Sequence, residues 1–316
     1  MEKNKLISTC IMAAAVLVVL SCTKAPLPPA PEPEPEPEPQ PELLSEVKVA
    51  SFNIRFDTDS DTGAKDWNAR KENLASVVTK YGFDVFGIQE ALANQQNDLK
   101  SLLPSYSFYF VGRDNGVSGE AVGVAYNPSK YILLDKGRFW LSDTPDTPSN
   151  SLNWGGMTRK RVAVWVHLCD ALSDKDFYVL STHLEVNNSG NKYDGVREKS
   201  AELIISRMKA KNTESVPVFV LGDMNPAAAD EASLELFRAE YQDSFRVADE
   251  KGTRKGPKGT FQAFDTSRNL DGANSYPGDY IFCSQGVDVR SYEAITDSFD
   301  GVYPSDHLPV MIEVSF

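Results

Sequence analysis

Carboxylate, amide and imidazole side chains recur at or near the ends of hydrophobic strand-like segments in this sequence. They are Asn53, Glu90, His183, Asp223, Asn225, Asp279, Asp306 and His307. Residues of these types can bind cations and transfer protons. A polar group at a strand end must be solvated at the sheet rim or satisfied in a site, because burial without a partner costs a few kcal/mol. A turn or a cap explains each residue singly, but their recurrence indicates one shared site.

The elements that must position these side chains are strands with helices between them. Runs rich in β-branched and aromatic residues predict strands over 47–56, 84–90, 106–112, 121–127, 161–170, 177–186, 216–225, 280–284 and 308–316. Apolar residues at helical spacing predict helices over 67–82, 196–211 and 229–240. Several strands are apolar at nearly every position, as strands covered on both faces are. The mixture favours two packed sheets with helices outside.

The first 22 residues have the layout of a secretory signal. Lysines in MEKNK precede a 15-residue apolar run that ends in VLSC. The run is short for a membrane span, and VLSC resembles a bacterial lipobox in which Cys22 is lipidated. A plain signal peptide or a short anchor helix is the alternative. We expect residues 1–22 to be a lipoprotein signal peptide and the protein to be an exported bacterial lipoprotein of the cell envelope, periplasmic or on the outer surface.

A linker and one large domain follow the signal. Residues 23–45 contain PLPPAPEPEPEPEPQPE, in which proline fixes φ and the glutamates repel one another. This composition predicts an extended, semi-rigid linker. Residues 46–316, about 270 in number, show no second linker and no repeat, which favours a single large α/β domain.

The domain is acidic. The chain has a formal net charge of −13, and residues 1–45 hold six Glu and three Lys, which leaves about −10 on the domain. A surface of this sign lacks the general attraction to phosphate backbones that non-specific nucleic-acid binders use. The charge therefore weighs against duplex nucleic acid as a partner, while a local site for a small phosphate ester remains open.

Two cysteines, Cys169 and Cys283, lie in strand-like runs of the domain. Two buried free thiols are favoured over a disulfide bridge, although an exported protein could form one.

The motifs SFNIR, IQE, STHL, GDMN, DYIF and SDHLPV occur in this order along the chain. By them it resembles the endonuclease/exonuclease/phosphatase superfamily, which includes DNase I-like nucleases, abasic-site endonucleases, sphingomyelinases, inositol-phosphate phosphatases and deadenylases related to nocturnin. The resemblance covers nearly all of residues 46–316. The stretches WNARK, GRDNG, SGEAVGVAY and RFWLS are similar to a bacterial secreted subgroup, nearer to the deadenylase and sugar-phosphatase branches than to DNase I.

This resemblance implies a fold and a cofactor. The fold is the DNase I-like four-layer α/β sandwich, two packed mixed β-sheets flanked by helices, with the site at one rim of the sheets. The reaction is hydrolysis of a phosphoester by water with Mg²⁺ or Mn²⁺, hard cations that prefer oxygen ligands. Glu90 would be the principal metal ligand, with Asn53 and Asp306 beside it.

The resemblance also implies roles for the other polar residues. Asp223 would activate or orient the attacking water, and Asn225 would hold phosphate oxygens. His307 would contact the phosphoryl group, with Asp279 orienting its imidazole. His183 would lie across the same phosphate as a hydrogen-bond or proton donor.

Four further residues are candidates for substrate binding. Tyr126 and Arg161 match phosphate-facing positions of the family, although Tyr126 could equally pack in the sheet and a neighbouring cation could replace Arg161. Arg113, in the loop GRDNGVSGE, could bind a second phosphate or a sugar, or lie in a solvated hairpin. Trp154 could stack on a sugar or base, or pack over a helix.

Two departures from the family pattern concern the pocket. Pro277 and Gly278 precede Asp279 where many relatives have an arginine and an aliphatic residue, so the loop that leads to Asp279 could differ in shape. Glu185 and Val186 stand where the subgroup often has Asp-His, which bears on the substrate.

We expect a divalent-metal-dependent phosphoesterase, acting on a phosphate mono- or diester and tethered outside the cytoplasm. An RNA or nucleotide exonuclease of the deadenylase type is an alternative, and so is a non-catalytic ligand-binding lipoprotein on the same fold. The complete set of acidic and imidazole residues favours an enzyme. The expected partners are a small or extended phosphate ester and, through the N-terminal lipid alone, a membrane; we expect a monomer.

Overall fold

The computed structural model describes residues 43–187 and 192–316, so the predicted signal peptide and nearly all of the linker lie outside the described residues. The strands are β1 (Glu46–Asn53), β2 (Val85–Ala91), β3 (Ser107–Gly112), β4 (Ala121–Tyr126), β5 (Tyr131–Trp140), β6 (Val162–Asp170), β7 (Asp176–His183), β8 (Val218–Asp223), β9 (Gln242–Asp243), β10 (Arg254–Lys255), β11 (Asp279–Cys283), β12 (Asp288–Ala294) and β13 (Val310–Ser315). The helices are α1 (Trp67–Tyr81), α2 (Ala93–Leu102), α3 (Asp194–Lys211), α4 (Ala232–Glu240) and α5 (Ser244–Lys251), with 3₁₀ turns at Gly63–Lys65 and Leu152–Trp154.

The strands form two mixed sheets. One has seven strands in the order β10-β12-β13-β1-β2-β4-β3, and the other has six in the order β5-β6-β7-β8-β11-β9. Parallel pairing joins β1 to β2 and β7 to β8, and most of the other neighbours are antiparallel. The predicted DNase I-like four-layer sandwich is confirmed.

A hydrophobic layer between the sheets joins them. Val49 and Val85 of the first sheet belong to the same buried cluster as Val179 and Leu221 of the second. Gly87 marks a close approach, because a Cβ atom there would lie 2.0 Å from Leu221 Cδ1. Interiors of this density leave no room for an added methyl group without displacement. The two sheets are therefore held at a fixed spacing, and their edges meet at a fixed site.

Helices cover the outer faces of both sheets. Helix α1 begins where the Asp66 side chain accepts a hydrogen bond from Asn68 N at 2.9 Å, and it ends at Gly82 in the left-handed conformation. Its buried face includes Leu74 and Val78, which pack on the first sheet. Replacing a fully buried leucine such as Leu74 by alanine costs about 2–5 kcal/mol. Helices α3 and α4 pack on the second sheet in the same way.

Several elements differ from the sequence prediction. Strand β5 was not predicted, because it is an edge strand whose middle is largely exposed and lacks clear alternation. Strand β12 was not predicted either, because its sequence has no continuous apolar run. Helix α2 was missed because it is rich in amides and buries only Gln95 and Leu99. Helix α5, with Ser244 and Ala248 as its buried residues, was missed too.

Cys169 and Cys283 are buried free thiols, as predicted. Within the described residues, no helix combines the length and the apolar character that crossing a membrane requires.

Candidate active site

Three neighbouring strands place a row of polar residues at one edge of the six-stranded sheet. His183 at the end of β7 is paired in register with Asp223 at the end of the parallel β8. Asp223 is paired in turn with Asp279, which opens the antiparallel β11. Neighbouring strands lie about 4.8 Å apart, so the three side chains share one small region. Gly222 permits this approach, because its φ is 144° and a Cβ atom there would lie 1.9 Å from Thr182 O.

The seven-stranded sheet contributes the opposite half of the site. Asn53 ends β1, and Ser305, from the segment before β13, donates a hydrogen bond from its Oγ to Asn53 O at 2.7 Å. Glu90 has a φ of 69°, and the register of β2 against β4 shifts between Ile88 and Ala91. A bulge and a positive φ at a non-glycine residue re-aim a side chain at a cost in strain, which is typical of functional sites.

These two halves enclose an open cavity of ≈ 620 Å³. Its lining includes Glu90, His183, Asp223, Asn225, Asp306 and His307. Asn53 and Asp279 are fully buried directly behind this surface, where they contact the residues that line it. The structure thus brings together all eight residues singled out at strand ends, and the roles assigned to them stay predictions.

Asp279 holds the ring of His307. The Nδ1–H group of His307 donates to Asp279 Oδ2 at 2.8 Å, which leaves Nε2 directed toward the cavity side. Thr260 Oγ1 donates to the same carboxylate oxygen at 2.6 Å and accepts from the backbone N–H groups of Gly278 and Asp279 at 2.9 and 3.0 Å. The unusual Pro-Gly approach is therefore fixed by Thr260, and Asp279 does orient His307. Burial alone would lower the pKa of His307, but the carboxylates of Asp279 and Asp223 raise it well above its usual value.

Asp223 is the centre of the site. Its Oδ2 lies 3.1 Å from Asn53 Nδ2, 3.4 Å from His183 Nε2 and 3.7 Å from His307 Nε2. Its Oδ1 accepts a hydrogen bond from Asn225 N at 3.0 Å. Burial is the largest cause that raises the pKa of Asp223 to about 7, with the charges of Asp279 and Glu90 adding to it and His307 opposing it. A carboxylate with this pKa is suited to accept a proton near neutral pH.

His183 differs from His307 in its charge. Burial, followed by the guanidinium of Arg161, lowers the pKa of His183 well below its usual value. The imidazole of His183 is therefore neutral, and one of its ring nitrogens can donate a hydrogen bond while the other can accept one. His183 and His307, whose pKa values are shifted in opposite directions, lie on either side of Asp223. Asp223 is thus in contact with one neutral and one protonated imidazole.

The carboxylates around Glu90 fit a divalent cation. Glu90 and Asp306 both line the cavity, and Arg55 Nη1 reaches Asp306 Oδ2 only at 3.9 Å. Burial is the largest cause that raises the pKa of Asp306, and the charge of Glu90 adds to it. Glu120 also lies beside Glu90, with carboxylate oxygens of both and a nitrogen of His183 within 4.8 Å of one another. Carboxylate oxygens such as those of Glu90 and Asp306 are the ligands that Mg²⁺ prefers.

Asn53 lies between Glu90 and Asp223. Its Nδ2 donates to Glu90 Oε1 at 3.2 Å and to Asp223 Oδ2 at 3.1 Å, while its Oδ1 accepts from Arg55 N at 3.0 Å. The amide oxygen has a second lone pair, so a role of Asn53 beside the metal stays a prediction. In the structure its amide group links the carboxylates of Glu90 and Asp223.

The four predicted substrate contacts have different outcomes. Arg161 lines the cavity, whereas Arg113 lies beside it, in an ion pair with both oxygens of Glu120 at 2.6 Å. Tyr126 is paired with Val85, at the end of β2 opposite Glu90, and is buried in the layer between the sheets. The prediction that Tyr126 faces the phosphate is wrong, because β4 runs antiparallel to β2 and ends at the far edge.

Trp154 is placed differently from the predicted sugar platform as well. It packs against the cluster between α3 and the second sheet, and its Nε1 donates to Asp143. It does not contribute to the cavity lining among the described residues. The alternative interpretation, packing over a helix, is the one that the structure supports.

Sequence reasoning missed three residues of this site. Glu120 directly precedes β4 and lies beside Glu90, and the strand-end pattern could have identified it. Arg55, within SFNIR, lines the cavity with a φ of 57° and pairs with Asp61. Thr260 had no signal, because a single threonine in an irregular loop is indistinguishable from any other turn residue.

Comparison with known proteins agrees with this architecture. Residues 50–307 match the model of the Endonuclease/Exonuclease/phosphatase family. An endonuclease/exonuclease/phosphatase family protein from Bacteroides thetaiotaomicron is 30% identical, with a TM-score of 0.79 over 87% of this chain and 96% of that one. A mannosyl-6-phosphatase from the same organism is also 30% identical, with a TM-score of 0.77 over 85% of this chain and 100% of that one.

A curated relative is an uncharacterized protein of Acanthamoeba polyphaga mimivirus, 26% identical over 166 residues. The alignment takes in 50% of this chain and spans 59% of the length of that protein. The family match covers most of the domain and contains every strand-end residue of the cavity. The chain therefore belongs to the endonuclease/exonuclease/phosphatase family, whose members include phosphoesterases and nucleases.

Proposed function

We propose that this protein is a divalent-metal-dependent phosphomonoesterase that hydrolyses sugar phosphates. The observation that carries the proposal is the position of Asp223, within 3.7 Å of both histidines and facing the same cavity as Glu90 and Asp306. Similarity to a mannosyl-6-phosphatase over that protein's full length supports the substrate class. The acidic domain disfavours extended nucleic acid as the alternative substrate.

The proposed mechanism uses Asp223 as the general base. Asp223 accepts a proton from the attacking water, whose oxygen then bonds to phosphorus as the bond to the sugar oxygen breaks. The sugar oxygen leaves as a hydroxyl group by taking a proton from solvent in the open cavity, to which Asp223 returns its own. His307, kept protonated by Asp279, contacts a phosphoryl oxygen and compensates its charge. Asn225 uses one amide proton on Leu184 O at 3.1 Å and has the other to donate to the phosphoryl group. When bound at Glu90 and Asp306, a divalent cation would supply Lewis-acid stabilisation of the phosphate.

The test measures hydrolysis by the purified protein: release of inorganic phosphate from sugar phosphates, nucleotides and inositol phosphates, release of nucleotides from oligo-RNA, and release of phosphocholine from sphingomyelin. We expect turnover of sugar phosphates with Mg²⁺ or Mn²⁺ and at least hundredfold less after chelation. Turnover of oligo-RNA or sphingomyelin alone would show that the substrate is a phosphodiester and would refute the proposed sugar phosphate. The absence of turnover in every arm would favour the ligand-binding alternative.

We propose also that the domain is exported and held at a membrane by lipid on Cys22. The support is the apolar run that ends in VLSC and the Pro/Glu-rich stretch after it. Expression in a bacterial host tests the proposal: the parent is expected in the membrane fraction, and Cys22→Ala in the soluble fraction or unprocessed. Equal distribution of the two, with the same processed size in both, would refute lipid anchoring.

A further inference from the structure

Arg159 is one of two arginines of the described residues that line the cavity without a described side-chain hydrogen bond or ion pair. Within that part of the chain, nine arginines lie within 4.0 Å of a carboxylate. Of the other four, Arg70 binds backbone carbonyls and Arg138 lies over Trp140 away from the cavity. Arg159 and Arg268 line the cavity without a described hydrogen bond or ion pair. In an acidic domain, an arginine left unpaired at a cavity is available to an anion brought by a ligand.

Arg161, two residues further on, has donors left over as well. It is 5% exposed and lines the same cavity. Its Nη2 reaches Glu185 Oε1 only at 3.5 Å, and its Nε has no hydrogen-bond partner among the described residues. A guanidinium carries five N–H donors, and leaving them unpaired in a buried position costs free energy. This cost is recovered if a ligand accepts from Arg161.

Arg159 and Arg161 both line the cavity. The intervening Lys160 is not part of this lining among the described residues, and it donates to Asp114 O at 2.5 Å. We call the part of the cavity formed by Arg159 and Arg161, beside His183, the basic wall.

The acids near the basic wall are already engaged. Both oxygens of Glu120 are held by Arg113 at 2.6 Å. Glu185 Oε1 accepts from Val186 N at 3.1 Å in addition to its long contact with Arg161. Arg113 and Arg161 each lie within 4.0 Å of one of these two carboxylates, whereas Arg159 has no carboxylate within that distance among the described residues.

We propose that the substrate carries a second anionic group, distinct from the phosphoryl group that is hydrolysed, and that Arg159 and Arg161 bind it on the basic wall. The group is an oxyanion, such as a carboxylate, sulfate or second phosphate, on the sugar. This inference rests on the proposed sugar-phosphatase function and narrows its substrates to sugar phosphates that are also acidic. A competing interpretation is that the basic wall binds the scissile phosphoryl group itself.

The test uses three phosphomonoesters with the same reacting group. Glucose 6-phosphate, 6-phosphogluconate and glucosamine 6-phosphate carry a neutral, an anionic and a cationic second group. We expect kcat/KM for 6-phosphogluconate to exceed that for glucose 6-phosphate by about tenfold, a difference of ~1.4 kcal/mol, and that for glucosamine 6-phosphate to be lowest. Arg159→Ala removes most of this preference. The exposed, unpartnered side chain of Arg159 makes this variant compatible with folding.

Arg268→Ala is the matched control. Arg268 is exposed, unpaired and cavity-lining like Arg159, but it lies over Phe261 on the wall beside His307. We expect it to leave the ratio between the substrates unchanged. Equal kcat/KM values in the parent, an equal loss on all three substrates in Arg159→Ala, or the same change of ratio in Arg268→Ala would each overturn the inference.

A binding measurement separates this inference from the proposed function. Failure to hydrolyse any sugar phosphate would refute the proposed function by itself. Calorimetric titration of the three compounds into Asp223→Asn needs no turnover, and we expect 6-phosphogluconate to bind about tenfold more tightly than glucose 6-phosphate. The additional change Arg159→Ala abolishes this difference. Equal affinities in Asp223→Asn would refute the second-anion site whatever the activity.

Discussion

The bond between Asp279 and His307 is the contact whose loss has the most defined consequence. In Asp279→Asn the side chain keeps its size but loses the charge that accepts from His307 Nδ1 at 2.8 Å. Hydrogen bonds to charged groups contribute about 1.5–3 kcal/mol. If His307 acts as a cation in the transition state, the loss lowers kcat by about 10- to 160-fold.

The same variant shifts the pH profile in a defined direction. Asp279 raises the pKa of His307 against the effect of burial, so its removal lowers that pKa. The imidazole of His307 then loses its proton at a lower pH. The alkaline limb of the plot of kcat against pH therefore shifts to lower pH. The assay is phosphate release from a sugar phosphate at saturating substrate between pH 5 and 10.

Two control substitutions isolate the effect. Asp297→Asn removes a surface carboxylate that pairs with Lys80, and it should leave kcat unchanged. Thr260→Val should resemble Asp279→Asn, since Thr260 Oγ1 donates to Asp279 Oδ2 at 2.6 Å, whereas Thr260→Ser keeps the hydroxyl. A kcat of Asp279→Asn within twofold of the parent, with an unmoved alkaline limb, would refute the role given to this pair.

Three further predictions concern the rest of the site. Glu90→Gln should weaken Mn²⁺ binding in calorimetry at least tenfold, because it removes a charged oxygen ligand; unchanged affinity would move the cation elsewhere. Since burial raises the pKa of Asp223 to about 7 and the base must be ionised, kcat/KM should rise about tenfold per pH unit below pH 7 and level off above it, and a flat profile from pH 5 to 8 would exclude Asp223 as the base. Tyr126→Phe should keep kcat/KM within twofold in the same assay, because Tyr126 lies in the core; a tenfold loss would return it to the site.

The strand-end pattern predicted the site because strand register brings those ends together. His183 and Asp223 are the last residues of β7 and β8, which are parallel neighbours. Because each residue ends an apolar run, the two were expected at the same edge of the sheet. Asp279 and His307 precede antiparallel strands, which reverses the order in the chain but reaches the same edge. The sequence alone could not decide Tyr126, because its strand ends like the others and only the pairing of β4 with β2 shows that it ends at the opposite edge.

Other parts of the site depend on contacts that no local pattern encodes. Thr260 holds Asp279 across 19 residues of sequence, from a loop without regular structure. Asn53 carries an amide that could serve as a ligand or as a donor, and only the positions of Glu90 and Asp223 show that it donates. Arg159 differs from most arginines of the described residues in lacking a described partner, and from Arg268, which lies over Phe261, in its position two residues from Arg161.

The central claim is that a metal-assisted phosphomonoesterase site is formed around Asp223. The most direct measurement is kcat/KM for mannose 6-phosphate with the purified protein, compared between Mg²⁺ and excess chelator and between the parent and Asp223→Asn. The account predicts turnover with Mg²⁺ and a decrease of at least hundredfold on chelation and in Asp223→Asn. Turnover that survives both changes would contradict it.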